Sequence, residues 1–209
     1  MKTHAIKRHC CARCQRPIRT CFCAFIQQLD NRVELLILQH PDETPNAKNT
    51  AGLLHLSLKN SQLYSGEQFD EPQLEQLIFA DQRQPLLLYP ALADYNSLGI
   101  PPPPTTPNLA GYPAEQLRLI VIDATWRKSR KMLYLNRILQ QLPLLSLSHV
   151  PESIYTIRKA HSENQLSTLE ASCYALQQLE QHKVDYGPVL QAMRDFVAQL
   201  AAFIPQSPQ

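Results

Sequence analysis

The run Leu119-Ile120-Val121-Ile122 is apolar throughout and stops at Asp123-Ala124-Thr125-Trp126. A short apolar run without alternation is the pattern of a strand covered on both faces, which is the condition of strands in parallel sheets. Residues 33–38 have the same texture, interrupted only by Glu34, and end at Gln39-His40-Pro41. Gln62-Leu63-Tyr64-Ser65, Leu86-Leu87-Leu88-Tyr89 and residues 144–147 are further short strands, and Pro90 stops the second of them. Between the runs lie helical segments at 48–58, 74–79 and 128–142. Two more helices close the chain. Leu169, Cys173, Leu176 and Leu179 recur at helical spacing in the first, with Ser167 or Thr168 as its cap, and Val189, Met193, Phe196, Leu200 and Phe203 recur in the second. Strands alternating with helices predict an α/β fold, with a mostly parallel sheet and helices on both faces.

In open α/β sheets, ligands collect beyond the carboxyl ends of the strands. Asp123, Thr125 and Trp126, the only tryptophan, arrive together at such an end and are the candidate catalytic residues. Asp123 can serve as a general base, bind a cationic group or cap the following helix. Trp126 can stack on a base, pack beneath a ligand or anchor the helix start. Leu88, Tyr89 and Pro90 end an earlier strand and form a candidate second wall, and His40 and Asp42 read as a turn cap. With five glycines and neither a Gly-x-Gly-x-x-Gly nor a Walker-type loop, a dinucleotide cradle is not expected.

The first 30 residues form a separate unit. Cys11, Cys14, Cys21 and Cys23 give the spacing C-x2-C-x6-C-x-C, which suits a tetrahedral zinc site. Cys10 competes with Cys11, but Cys11 gives the tighter first pair. Four thiolates leave no open position, so the metal is expected to be structural. Cys173 reads as buried packing.

The net charge is only +2 in 209 residues, but cations are clustered. Residues 1–23 hold six Lys and Arg and no acid, and Arg127, Lys128, Arg130, Lys131 and Arg137 follow Asp123 with no acid before Glu152. One-sign segments of this kind suit a polyanion such as RNA. Residues 90–117 contain seven prolines and are expected to be a long irregular connection of lid type. Neither a signal peptide nor a membrane-spanning run is found, so a cytoplasmic protein is expected.

The cysteine spacing, His40-Pro41-Asp42-Glu43 through Asn49-Thr50, Asp123-Ala124-Thr125-Trp126, residues 155–159 and Ser167-Thr168-Leu169-Glu170-Ala171 occur in one order along nearly the whole chain. In this the chain resembles the DTW-domain family, the tRNA-uridine aminocarboxypropyltransferases of the TDD superfamily. The resemblance implies a SPOUT-like fold with a C-terminal trefoil knot, on a catalytic domain of residues 31–209 that follows a zinc-binding unit of residues 1–30. It implies S-adenosylmethionine as group donor, tRNA as partner, and transfer of the 3-amino-3-carboxypropyl group to the imino nitrogen of a uridine. Methylthioadenosine is then released. The implied donor-binding residues are Leu88, Tyr89, Pro90, Asp123, Ala124, Thr125 and Trp126, with Tyr155, Ile157 and Arg158 on the knot loop. Arg158 can also pair with Glu170 or meet RNA. A SAM-dependent RNA methyltransferase and a non-catalytic, zinc-stabilised RNA-binding protein are the alternative readings.

Overall fold

The structure is a computed structural model and describes residues 9–90, 99–147 and 166–202. Its strands are β1 (Glu34–Gln39), β2 (Ser61–Ser65), β3 (Gln84–Leu88), β4 (Leu117–Asp123) and β5 (Leu144–Leu145). Its helices are α1 (Ala51–Ser57), α2 (Glu71–Phe79), α3 (Trp126–Leu135), α4 (Thr168–Leu179) and α5 (Gly187–Ala202). The sheet runs β2-β1-β4-β3-β5, and every pairing is parallel.

Both faces of the sheet are covered, which is why the strand runs do not alternate with polar residues. Leu35, Ile37, Leu119 and Val121 share one core with α1, α4 and α5. Leu36, Leu38 and Ile120 point the other way, into a core with α2 and α3. The expected parallel sheet with helices on each face is therefore present.

Helix ends follow local chemistry. Asp70 accepts from Gln73 N at 3.2 Å and starts α2 three residues before the apolar spacing predicts. At α4, Ser167 and Glu170 satisfy each other's backbone N–H in a capping box. The expected single helix over 128–142 is instead α3 followed by a tight turn over Arg137–Gln141. Asn136 divides them: its Nδ2 donates to the Met132 carbonyl at 2.7 Å and to the Glu67 carbonyl at 3.0 Å. A side-chain amide that competes for helix carbonyls ends the helix. The last strand is also shorter than expected, because Ser146 turns to donate its hydroxyl to the Tyr89 carbonyl.

The cysteine-rich segment packs on the first core. Phe22 is buried and meets Phe196 of α5 edge-on, with ring centroids 5.7 Å apart. A Cβ on Gly52 of α1 would stand 3.1 Å from Phe22 Cζ, so a larger residue there would have to push the Phe22 ring back by a few tenths of an ångström. The described part of the proline-rich connection also packs down. Ile100 is buried in the second core, and Thr106 donates to the Leu144 carbonyl at 2.7 Å. Residues 149–165, which include the expected knot-loop positions, lie outside the described residues.

At the amino end of the sheet, Glu34 and Arg118 are in register on β1 and β4, and both are buried. Glu34 Oε2 accepts from Arg118 Nε at 3.0 Å and Nη2 at 2.6 Å, and also from Arg83. Arg118 Nη1 donates to the Ile78 and Ala80 carbonyls. Every strong donor and acceptor in this buried cluster is paired, as burial of charge requires.

Candidate active site and metal centre

Strands β1 and β4 are neighbours, but the helices that follow them lie on opposite faces of the sheet. This is a topological switch point, and the crevice beyond such strand ends is where open α/β sheets bind ligands. Asp123 is the last residue of β4 and stands in register with Gln39, the last of β1.

The Asp123 side chain is held from the β1 side. Its Oδ2 accepts from Gln39 Nε2 at 2.9 Å and from Asn49 Nδ2 at 2.6 Å. Asn49 Oδ1 accepts in turn from Gln39 Nε2 and from Ala51 N, at the start of α1. Thr44 Oγ1 fixes the other end of the Gln39 amide at 3.0 Å. Two amides on Oδ2 set the plane of the carboxylate and leave Oδ1 as the oxygen that neither occupies. The helix-cap reading of Asp123 is thereby corrected. Thr125 is the capping residue of α3; its side chain makes no cap bond, and its carbonyl accepts from Ser129 N at 2.8 Å.

Thr125 is exposed, and so is Trp126, at 47%. A core anchor would be buried, so the anchor reading of Trp126 is corrected too. Its ring meets Tyr89 edge-on at 5.6 Å, a preferred arrangement for aromatic pairs. Tyr89 itself is buried, with its hydroxyl 3.3 Å from Ser129 Oγ of α3. Because Leu88 pairs with Val121, the end of β3 brings Leu88, Tyr89 and Pro90 beside Asp123, Ala124, Thr125 and Trp126. Tyr155, Ile157 and Arg158 fall outside the described residues. Gln39, Thr44 and Asn49 carried no assigned role in the sequence. The available signal was a polar Gln39 closing an otherwise buried strand.

The basic helix is only partly open. Lys128 Nζ lies 3.1 Å from Asp42 and 3.7 Å from Glu43, and Lys131 lies 2.9 Å from Glu67. Bonds from Lys131 and then His40 hold the Glu67 carboxyl below its ordinary range. His40 Nδ1 accepts from Asp42 N at 3.2 Å, so the ring proton belongs on Nε2, facing Glu67 at 3.1 Å. Arg127 and Arg130 are exposed and have no acidic partner among the described residues. Tyr134, which the sequence reading passed over, is 60% exposed on the same helix.

The sulfurs of Cys11, Cys14, Cys21 and Cys23 all lie within 4.8 Å of one another. Cys11 and Cys23 are 3.6 Å apart, and Cys14 and Cys21 are 3.7 Å apart. Thiolates about 2.3 Å from a tetrahedral zinc stand about 3.8 Å from each other, so the cluster can hold a structural zinc ion. Gln15, at φ 59°, closes the first pair into a turn by donating to the Cys11 carbonyl. Backbone N–H groups of Cys14 and Arg13 draw the Cys11 thiol down to about 6, whereas desolvation pushes Cys21 and Cys23 up. Crowded thiols of this kind ionise together only around a cation. Cys10 lies outside the cluster, in a short bridge with Pro17.

The DTW domain profile matches residues 8–201. The chain belongs to the DTW domain family. This DTW protein is similar to tRNA-uridine aminocarboxypropyltransferase 2 of Drosophila melanogaster, at 31% identity over 83% of the chain and 68% of the relative. It is 29% identical to the proteins of that name from Macaca fascicularis and Mus musculus, over 85% and 86% of the chain. The match spans 59% of the length of each of those two relatives. No solved structure gives a significant match to the DTW protein. Among its described residues, no helix is long and apolar enough to cross a membrane.

Proposed function

We propose that the chain is a tRNA-modifying transferase that moves the 3-amino-3-carboxypropyl group to the imino nitrogen of a tRNA uridine. The observation that carries this reading is the Asp123 carboxylate, fixed by Gln39 and Asn49 at the sheet crevice beside the exposed Trp126. The kinship with enzymes named for this reaction supports it. A carboxylate next to an aromatic wall also suits a sulfonium donor, since both attract cations. S-adenosylmethionine, when bound, supplies the aminocarboxypropyl carbon as an electrophile.

In the proposed reaction a carbon–nitrogen bond forms as the carbon–sulfur bond breaks. The sulfur keeps the electron pair and leaves as methylthioadenosine. The imino proton passes to a base, and Asp123 Oδ1 is the group in position to take it. Leu88, Tyr89, Pro90 and residues 123–126 line the donor site, together with Tyr155, Ile157 and Arg158. In this reading residues 31–209 form a SPOUT-like catalytic domain with a trefoil knot, residues 1–30 hold zinc, and the protein works in the cytoplasm.

The imino nitrogen lies on the pairing edge of the base, so the uridine must be unpaired or turned out. Trp126, Arg130 and Tyr134 recur every four residues on α3 and share one face, with about 12 Å of helix between the two aromatics. Aromatics spaced by a guanidinium on an exposed face suit single-stranded RNA, with bases stacked and phosphates paired.

The deciding experiment incubates the chain with tRNA and donor labelled on the amino-acid arm. Label in a uridine nucleoside, together with methylthioadenosine, is the expected result. S-adenosylhomocysteine as the sole nucleoside product would make the chain a methyltransferase. Binding without turnover would make it a non-catalytic RNA-binding protein.

A further inference from the structure

Arg16 lies two residues beyond Cys14 and reaches out of the cysteine cluster into the turn before α1. Its Nη1 donates to the Asn49 carbonyl at 2.7 Å, and its Nη2 donates to the Asn46 carbonyl at 3.0 Å and to the Ala47 carbonyl. The guanidinium carbon lies 5.3 Å from the centroids of both Phe22 and Phe196. The Arg16 carbonyl accepts from Cys11 N at 2.8 Å, which ties this residue to the first thiol of the cluster. Asn49, the last residue of the clamped turn, is the one whose amide meets Asp123 Oδ2 at 2.6 Å.

Three carbonyls that point at one place repel one another unless a cation sits among them. A guanidinium answers that need with donors in a fixed planar fork, and two aromatic rings help to fix its position. An ammonium has no such fork. Only the turn backbone and the Asn49 side chain separate Arg16 from the carboxylate.

We propose that Arg16 is a positioning residue through which the metal-holding cluster sets the orientation of the Asp123 carboxylate. Loss of the metal is then felt at the sheet crevice, and not only in the amino-terminal unit. The catalytic part of this inference rests on the reading of Asp123 given above; the positional part does not. A misplaced catalytic group costs turnover more than it costs binding.

The test uses the full zinc-loaded chain and two readouts. The first is the side-chain amide signal of Asn49 in a 15N-labelled sample, which reports its bond to Asp123 without any turnover. Arg16→Ala, and wild type stripped with a chelator, are expected to move that signal the same way, and Arg16→Lys to move it part of the way. The second readout is kinetic. Arg16→Ala is expected to lower kcat about tenfold with little change in KM for tRNA, and millimolar guanidinium is expected to restore part of the loss. In an Asn49→Ala background the Arg16 substitution should have little further effect. An Asn49 signal that stays in place in folded, zinc-replete Arg16→Ala or Arg16→Lys overturns the proposal. If the signal moves but Asp123→Asn keeps full activity, Arg16 still positions Asp123, and it is the catalytic reading of Asp123 that is overturned.

Discussion

Gln39 and Asp123 close the β1–β4 pair, and the amide of the first donates to the carboxylate of the second at 2.9 Å. With Asn49 on the same oxygen, the candidate base is oriented by the neighbouring strand and the turn that follows it, and not by its own helix.

Replacing that carboxylate tests the assignment directly. Asp123→Asn keeps an oxygen for the two amide donors but removes the base. Transfer to tRNA is expected to fall by about 100-fold or more, with an unchanged melting curve. Mass spectrometry of digested tRNA reads the product, and near-normal yields would refute the role.

The cysteine assignment predicts metal loss at specific positions. Cys11→Ser and Cys21→Ser should each lower bound zinc well below one equivalent, whereas Cys10→Ser should leave it unchanged. Elemental analysis of purified protein decides this.

Open and paired cations on α3 should differ in their effect on RNA binding. Arg127→Ala and Arg130→Ala are each expected to reduce the salt slope of tRNA affinity by about one. Lys128→Ala and Lys131→Ala should change it less, because their charges already face Asp42, Glu43 and Glu67. Titrations over a range of potassium concentrations measure the slopes.

Arg118→Met leaves Glu34 buried with only Arg83 and Gln62 beside it. Breaking a buried pair from one side costs about 3–5 kcal/mol. Urea unfolding should show a large fall in midpoint with the slope retained.

His55 gives a pH prediction. It is half-buried on α1, 2.9 Å from Ser61 Oγ, and burial holds its pKa below the usual 6.5. The unfolded chain then binds the proton first. Its contribution to stability is complete above about pH 6.5 and is lost as pH falls through that value toward the lower folded one. Thermal melts of His55→Gln against wild type should converge at acid pH.

Much of the fold was legible because burial on both faces leaves a direct trace: residues 119–122 and 33–38 read as strands from their apolarity alone. Helix starts at Asp70 and Ser167 carry local cap signals. The break at Asn136 depends on Glu67, which is distant in sequence, so helical spacing carried past it. The position of Asp123 followed from the strand that precedes it. Its partners Gln39 and Asn49 did not, because their meeting depends on β1 and β4 becoming neighbours. The four cysteines were legible from spacing, whereas the reach of Arg16 to residues 46–49 was not.

The order β2-β1-β4-β3-β5 gives β4 a special place in assembly. Without residues 117–123, β1 with β2 on one side and β3 on the other are not joined, and each would have a bare hydrogen-bonding edge. The join spans 84 positions between Gln39 and Asp123, a loop closure that slows folding and exposes edges meanwhile. The carboxylate thus meets its amide partners only when the two halves lock, so the ordered Asp123–Gln39–Asn49 arrangement is a property of the completed sheet alone.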